Sequence, residues 1–173
     1  MACPLTKAIN LSCRDSKGGI STVYITELAN KDTITTVDSG ITVFDLDAGK
    51  QFWEYQQELE KATVVENIQT SRENNSLFYE ADLTISLYKG QSSVISELKL
   101  LAQNRLMIIV KDNNGTFFLM GEVNGAMLDP SSFTTGTAFG DMNGYELKFK
   151  SKEPNPMSTV AVGLIPALLI PAV

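Results

Sequence analysis

The chain has 173 residues, a formal net charge of −6, and 43% hydrophobic and 20% charged residues. That length supports one domain with a full core and residues left over for arms. The acidic balance excludes a nucleic-acid clamp, which needs Lys and Arg to neutralise phosphates.

Met1 to Gly19 is polar and small and ends on the turn Arg14-Asp15-Ser16-Lys17-Gly18-Gly19, so 1–19 reads as an N-terminal arm. Its opening, Met1-Ala2-Cys3-Pro4-Leu5-Thr6-Lys7, lacks the apolar core of a secretory signal, and synthesis in the cytoplasm is expected. Cys3 and Cys13 are the only cysteines, and there is no histidine. Their spacing is not a metal spacing; it reads as two reduced thiols, with a disulfide as the alternative. The lack of histidine removes the commonest general base, and with it Ser-His-Asp and Cys-His catalysis. No enzyme activity and no cofactor are expected.

Ile20 to Leu28 holds a strand over Val23-Tyr24-Ile25-Thr26-Glu27-Leu28, and Ala29-Asn30-Lys31-Asp32 is a turn. Ile34–Val37 and Ile41–Phe44 are short strands around the hairpin loop Asp38-Ser39-Gly40. Gln51 to Glu60 fits two readings. Phe52, Tyr55, Gln56 and Leu59 suit a helix; alternation of Trp53, Tyr55 and Leu59 with Glu54, Gln56, Glu58 and Glu60 suits a strand. The aromatic residues favour the strand. Ala62–Ser71 follows, then the polar tip Arg72-Glu73-Asn74-Asn75-Ser76, and the pair of runs predicts a long hairpin with a charged end. Its first arm is weakly patterned, with Val64 and Ile68 sharing a face with Glu66 and Thr70, so it faces solvent or a neighbouring subunit.

The most regular stretch is Leu77 to Lys111. Leu77, Tyr79, Ala81, Leu83, Ile85 and Leu87 alternate with Glu80, Asp82, Thr84 and Ser86, the period of a strand with one dry face. Lys89-Gly90-Gln91 breaks the run. Val94, Ile95, Leu98, Leu101 and Ala102 then recur at helical spacing, with Leu98 and Leu101 expected against a sheet. Leu106-Met107-Ile108-Ile109-Val110 is apolar throughout, as a strand buried on both faces is. A sheet covered by one amphipathic helix follows.

Asp112-Asn113-Asn114-Gly115 turns the chain, and Thr116–Val123 runs back with Phe117, Leu119 and Val123 on one face. Asn124-Gly125 is a type I′ signal before a short return, Ala126-Met127-Leu128. Asp129–Asn143, rich in Gly, Ser and Thr, reads as a loop of about fifteen residues, long for a compact domain and of the length that functional or partner-ordered loops have. Tyr145, Leu147 and Phe149 mark a last strand, and Pro154 and Pro156 close the fold. Val160–Val173 is almost wholly apolar, too short to span a bilayer as a helix, and broken by Pro166 and Pro171. Such a stretch either folds over its own domain or docks on another subunit.

Neither Asp45-Leu46-Asp47-Ala48-Gly49 nor Asp112-Asn113-Asn114-Gly115 has the later glutamate of a calcium loop, so both read as turns. Gly136-Thr137-Ala138-Phe139-Gly140 lacks the Lys-Ser/Thr of a phosphate loop. Glu58 and Glu60, on one strand face, read as a solvated face rather than a glycosidase pair.

Phe52-Trp53-Glu54, Lys61-Ala62-Thr63, the polar tip, Phe78-Tyr79-Glu80-Ala81-Asp82-Leu83 and Arg105-Leu106-Met107-Ile108-Ile109-Val110 together resemble tail tube proteins of tailed bacteriophages, especially those of Bacteroidetes hosts. Asp112-Asn113-Asn114-Gly115, Gly121, Asn124-Gly125, Thr135-Gly136-Thr137-Ala138, Gly140-Asp141 and Asn143-Gly144-Tyr145 extend the likeness, which covers about Ile20 to Pro156. The resemblance implies a mainly β fold: a sandwich or barrel of antiparallel strands with one flanking α-helix. Arms at 1–19 and 157–173 would flank a domain at 20–156, and the apolar C-terminal arm departs from the family pattern.

The resemblance further implies a virion structural protein whose subunits close into hexameric rings that stack into a tube conducting DNA. The expected partners are the protein itself, other tail proteins such as a tape measure, terminator or sheath, and passing DNA bound without sequence specificity, with no membrane anchor. Arg72, Glu73, Asn74 and Asn75 of the tip and Leu164, Ile165, Leu168, Leu169 and Ile170 of the arm are the candidate subunit interface. The channel is expected to be acidic or neutral. An Hcp-like tube of a secretion system and a carbohydrate- or receptor-binding β-module with Trp53 and Tyr55 as its platform are the alternatives.

Overall fold

The computed structural model describes residues 8–9, 14–89 and 92–169. Cys3, Cys13, Gly90, Gln91 and Ile170 therefore lie outside the described residues. Eleven strands form one mixed sheet: β1 (Ile20–Glu27), β2 (Lys31–Val37), β3 (Gly40–Leu46), β4 (Trp53–Gln56), β5 (Thr63–Ser71), β6 (Ser76–Tyr88), β7 (Leu106–Asp112), β8 (Phe117–Met120), β9 (Ala126–Thr134), β10 (Gly144–Glu153) and β11 (Ser158–Val160). Helix α1 (Ser92–Gln103) links β6 to β7, and a short α2 (Ile165–Leu168) follows β11. The fold is mainly β with a flanking helix, as expected, but the sheet does not close into a barrel.

The organising strand is β7. One edge pairs antiparallel with β1 from Leu106 to Asp112; the other pairs with β8 and, at Leu106, with β9. From there the path runs one way through β8, β11, β3 and β2, and the other way through β9, β10, β6 and β5. Successive side chains of a strand point to opposite faces, and β7 is apolar at both parities. Leu106, Ile108 and Val110 enter one core, together with Val23 and Ile25 of β1, Leu83 and Ile85 of β6, and Leu147 and Phe149 of β10. Met107 and Ile109 enter a second core with Tyr24, Ile41, Phe44, Phe52, Phe117 and Leu119. The unbroken apolar run thus reflects burial on both faces.

β1 starts with Ile20 and continues with Val23, both in the first core although their positions differ in parity. A bulge between Ile20 and Thr22 in the pairing with β7 accounts for this, because one extra residue flips the face. The β2–β3 hairpin turns on Asp38 (φ 49°) and Ser39 (φ 63°), the two left-handed residues of a type I′ loop. Gly121 stops β8 at φ 81°; a Cβ there would lie 2.6 Å from the Ala126 nitrogen and 2.7 Å from the Leu106 oxygen, so only glycine lets the chain turn against β7.

Several expectations need correction. Val123, placed on the core face with Phe117 and Leu119, is exposed, because Gly121 ends the strand before it. The supposed loop 129–143 is strand as far as Thr134, and nine residues remain as loop. Pro130 sits in a bulge between β9 and β10, where its missing N–H costs no ladder bond. The Ser131 hydroxyl there accepts the Lys148 N–H at 3.1 Å. Glu58 and Glu60 fall in the connection after β4, not on a strand face, and Glu60 has φ 61°. Gln51–Glu60 resolves to the short strand β4.

The largest correction concerns the apolar C-terminal stretch. β11 inserts between β3, which it pairs parallel, and β8, which it pairs antiparallel. Val160, Ile165 and Leu168 are buried in the second core, and the Phe52 N–H bonds to the Leu168 carbonyl at 2.8 Å. Over its described part the segment folds on its own domain, because the second core lacks a cover without it.

Helix α1 packs less symmetrically than its pattern predicts. Leu101 is buried in the first core and Leu98 is only half-buried, while Ile95 and Leu100 are exposed. Leu101→Ala is expected to cost about 2–5 kcal/mol, the range for buried leucines. Leu98→Ala is expected to cost about 1 kcal/mol, the common size for a site with less to lose. Urea unfolding of both variants checks this; equal losses would place both side chains in the core.

Candidate functional site

The two groups of predicted interface residues are placed differently. Arg72, Glu73, Asn74 and Asn75 form the exposed four-residue turn closing the β5–β6 hairpin. Asn75 has φ 49°, and the Asn74 N–H bonds to the Ser71 hydroxyl at 3.3 Å. In the C-terminal group, Ile165 and Leu168 are core residues, and Leu164 and Leu169 are partly buried against them. Those four side chains serve the subunit's own packing and are not a free surface.

The hairpin behind the tip offers more than the tip itself. β5 is the terminal strand of the path, nine residues paired only to β6. Its outer edge is open among the described residues, and Val65 and Ile68 on it are exposed, as is Leu77 on β6. Beyond Glu153 of β10, which pairs with Tyr79, no strand among the described residues pairs with the hairpin on the β6 side. The outward face of β6 and β10 carries a charge cluster: Lys150 reaches Glu80 at 3.2 Å and Asp82 at 3.3 Å, and Lys152 reaches Glu80 at 3.7 Å. The hydrogen bond from Lys150 holds the Glu80 carboxyl below its usual range. These are surface pairs, which fix side-chain positions more than they stabilise.

A second feature is a groove of about 670 Å³ between β4 and α1. Trp53 and Tyr55 line it from the strand, and Leu98 and Leu101 from the helix. Among the described residues β4 pairs only with β1, so no described strand covers its other edge. Trp53 is 59% exposed, whereas Tyr55 is partly buried with its hydroxyl 3.5 Å from Glu97 Oε1. Burial first, and then the Glu97 charge, push the Tyr55 phenol above its ordinary value. The aromatic pair singled out in the sequence is therefore unequal: Trp53 faces outward, and Tyr55 is largely a wall. On the helix side, Leu98 and Leu101 carried only the spacing of a core-facing helix, with nothing in the sequence to mark a groove.

The remaining polar features are structural. Glu153 is buried, and its carboxylate accepts the N–H groups of Val123 (3.2 Å) and Asn124 (3.0 Å), which ties the β8–β9 turn to β10. Desolvation pushes this carboxyl above the usual range despite those hydrogen bonds. Asp112 Oδ1 accepts the N–H groups of Asn114 (2.9 Å) and Thr116 (2.7 Å), and Asn114 also bonds to Lys17 through backbone and side-chain atoms. The Asp112–Gly115 motif is thus turn chemistry, as its sequence suggests.

Among the described residues no group of three acidic, Cys or His side chains could hold a metal ion, and no helix is long and apolar enough to cross a membrane. The arrangement provides surfaces for contact: an open strand edge, an apolar groove and a polar hairpin tip. Compared with known proteins, the chain matches no family model, no curated protein and no solved structure.

Proposed function

We propose that the protein is a virion structural subunit that assembles with copies of itself into stacked rings, hexameric in the family it resembles, forming a tail tube that conducts DNA. The observation that carries this reading is the open edge of β5. A nine-residue strand with one unpaired edge and exposed Val65 and Ile68 is a template for further pairing. Natural monomers blunt such edges with charge, proline or cover, and β5 has only Glu66 as a charged residue and no proline. Closing the sheets of neighbouring subunits into a ring covers every such edge at once. An acidic chain suits a conduit for DNA, since a basic lumen would hold the phosphates. Tape measure, terminator or sheath proteins are the further partners this reading implies.

The test is negative-stain imaging of the purified protein, with light scattering over a concentration series. Rings or tubes are the expected result. A strictly monomeric species at high concentration sinks the reading. The groove beside Trp53 favours a second reading, a β-module that binds a carbohydrate or receptor; such a module would stay small and bind its ligand through that groove.

A further inference from the structure

The nine-residue loop between β9 and β10 holds one side chain out in water. Asp141 Oδ2 accepts the N–H groups of Thr137 (2.8 Å) and Ala138 (2.7 Å), and the Asp141 N–H bonds back to the Ala138 carbonyl at 3.1 Å. Gly136, the second residue of this loop, has φ 68°, and a Cβ there would run into that of Asp141. At the apex is Phe139, wholly exposed at 114% of its reference area. A phenylalanine ring is a large apolar surface. Here the hydrogen-bonded loop holds it away from its own domain, so covering it requires another molecule.

The same chain carries a receptor of matching chemistry. The β4–α1 groove is walled by Trp53, Tyr55, Leu98 and Leu101, with room for an aromatic ring and its flanking residues. Its border also carries Glu27, Glu54 and Glu97 against a single cation, Lys50. The loop itself carries no cation, and the charge that complements the groove sits beside it. Its one acid, Asp141, is already satisfied by two N–H donors and is held below its usual range by them. At its base the exposed Lys89 bonds through its N–H to the Asn143 carbonyl at 3.0 Å.

We propose that the Phe139 loop of one copy docks into the β4–α1 groove of a second copy, with Lys89 against the acidic border. The contact joins two different patches, which is the geometry that builds rings. It rests on the reading of the protein as a self-assembling subunit and names one of the contacts that assembly would use.

Sedimentation and light scattering of Phe139→Ser, Trp53→Glu and their equimolar mixture test it, with thermal unfolding to confirm that each variant is folded. Each variant alone is expected to associate at least tenfold more weakly than the unchanged chain. The mixture joins an intact groove to an intact loop and is expected to recover a two-chain species. Should Trp53→Glu fail to fold, Lys89→Glu mixed with Glu54→Lys gives the equivalent charge-swap rescue. Phe139→Ser that forms tubes of undiminished stability overturns this contact and leaves the tube reading standing. A mixture that pairs, from a parent chain that makes no rings or tubes, supports the contact and removes the tube reading. A parent chain that stays monomeric throughout overturns both.

Discussion

A chain ending at Ser158 is expected to lose its cooperative fold. The deletion removes Val160, Ile165 and Leu168 from the second core and strips β11 from its place between β3 and β8. Each buried aliphatic side chain of this kind contributes about 2–5 kcal/mol when replaced by a cavity. Three together approach the whole stability of an ordinary domain, about 5–15 kcal/mol. The cut also strands the backbone groups of β3 and β8 that β11 pairs. The first core does not contain these residues and should keep part of its structure. The expected readouts are a broadened thermal transition, dye binding by exposed apolar surface, and rapid proteolysis of β2 and β3. A truncated chain with the full-length urea midpoint and slope would show that the segment is a removable arm.

Phe52→Ala is expected to cost about 3–5 kcal/mol, the range for a fully buried aromatic. Phe52 is 1% exposed, and its ring meets that of Phe44 edge-to-face with centroids 5.6 Å apart. Its backbone bond to Leu168 joins β4 to the C-terminal segment, so the residue ties three parts of the second core together. At about 2–4 °C per kcal/mol for a chain of this size, the melting temperature should fall by roughly 10 °C. Phe52→Ala and Leu168→Ala should be less than additive, because each removes part of the other's packing. Urea unfolding of the two single variants and the double variant measures this. A loss below about 1 kcal/mol for Phe52→Ala would mean that the site collapses around the missing ring, or that the core is looser than the structure shows.

Local pattern in the sequence determined most of the elements. Alternation marked β6, helical spacing marked α1, and the unbroken apolar run marked β7 as buried on both faces, because these periods are properties of single elements. Turn chemistry placed the Asp38–Ser39 hairpin and the β5–β6 tip for the same reason. The tip and the Trp53–Tyr55 wall of the groove were the parts of the candidate site that the sequence made legible. Where composition masked conformation, the reading failed: Pro130 and its Ser and Thr neighbours look like loop, and only pairing with β10 makes them strand. The tertiary structure alone decided which apolar surfaces meet. β11 is three residues long and pairs with a strand about 120 residues earlier in the chain; the Thr159 hydroxyl bonds to the Ser39 carbonyl across that separation. The β4–α1 groove likewise joins elements whose Tyr55 and Glu97 are 42 positions apart. An apolar run declares that it must be buried, but the free energy of burial is non-directional and does not name the partner. Long-range strand pairing makes that choice, and here it turned the C-terminal stretch inward and left Phe139, Ile68 and the edge of β5 facing outward.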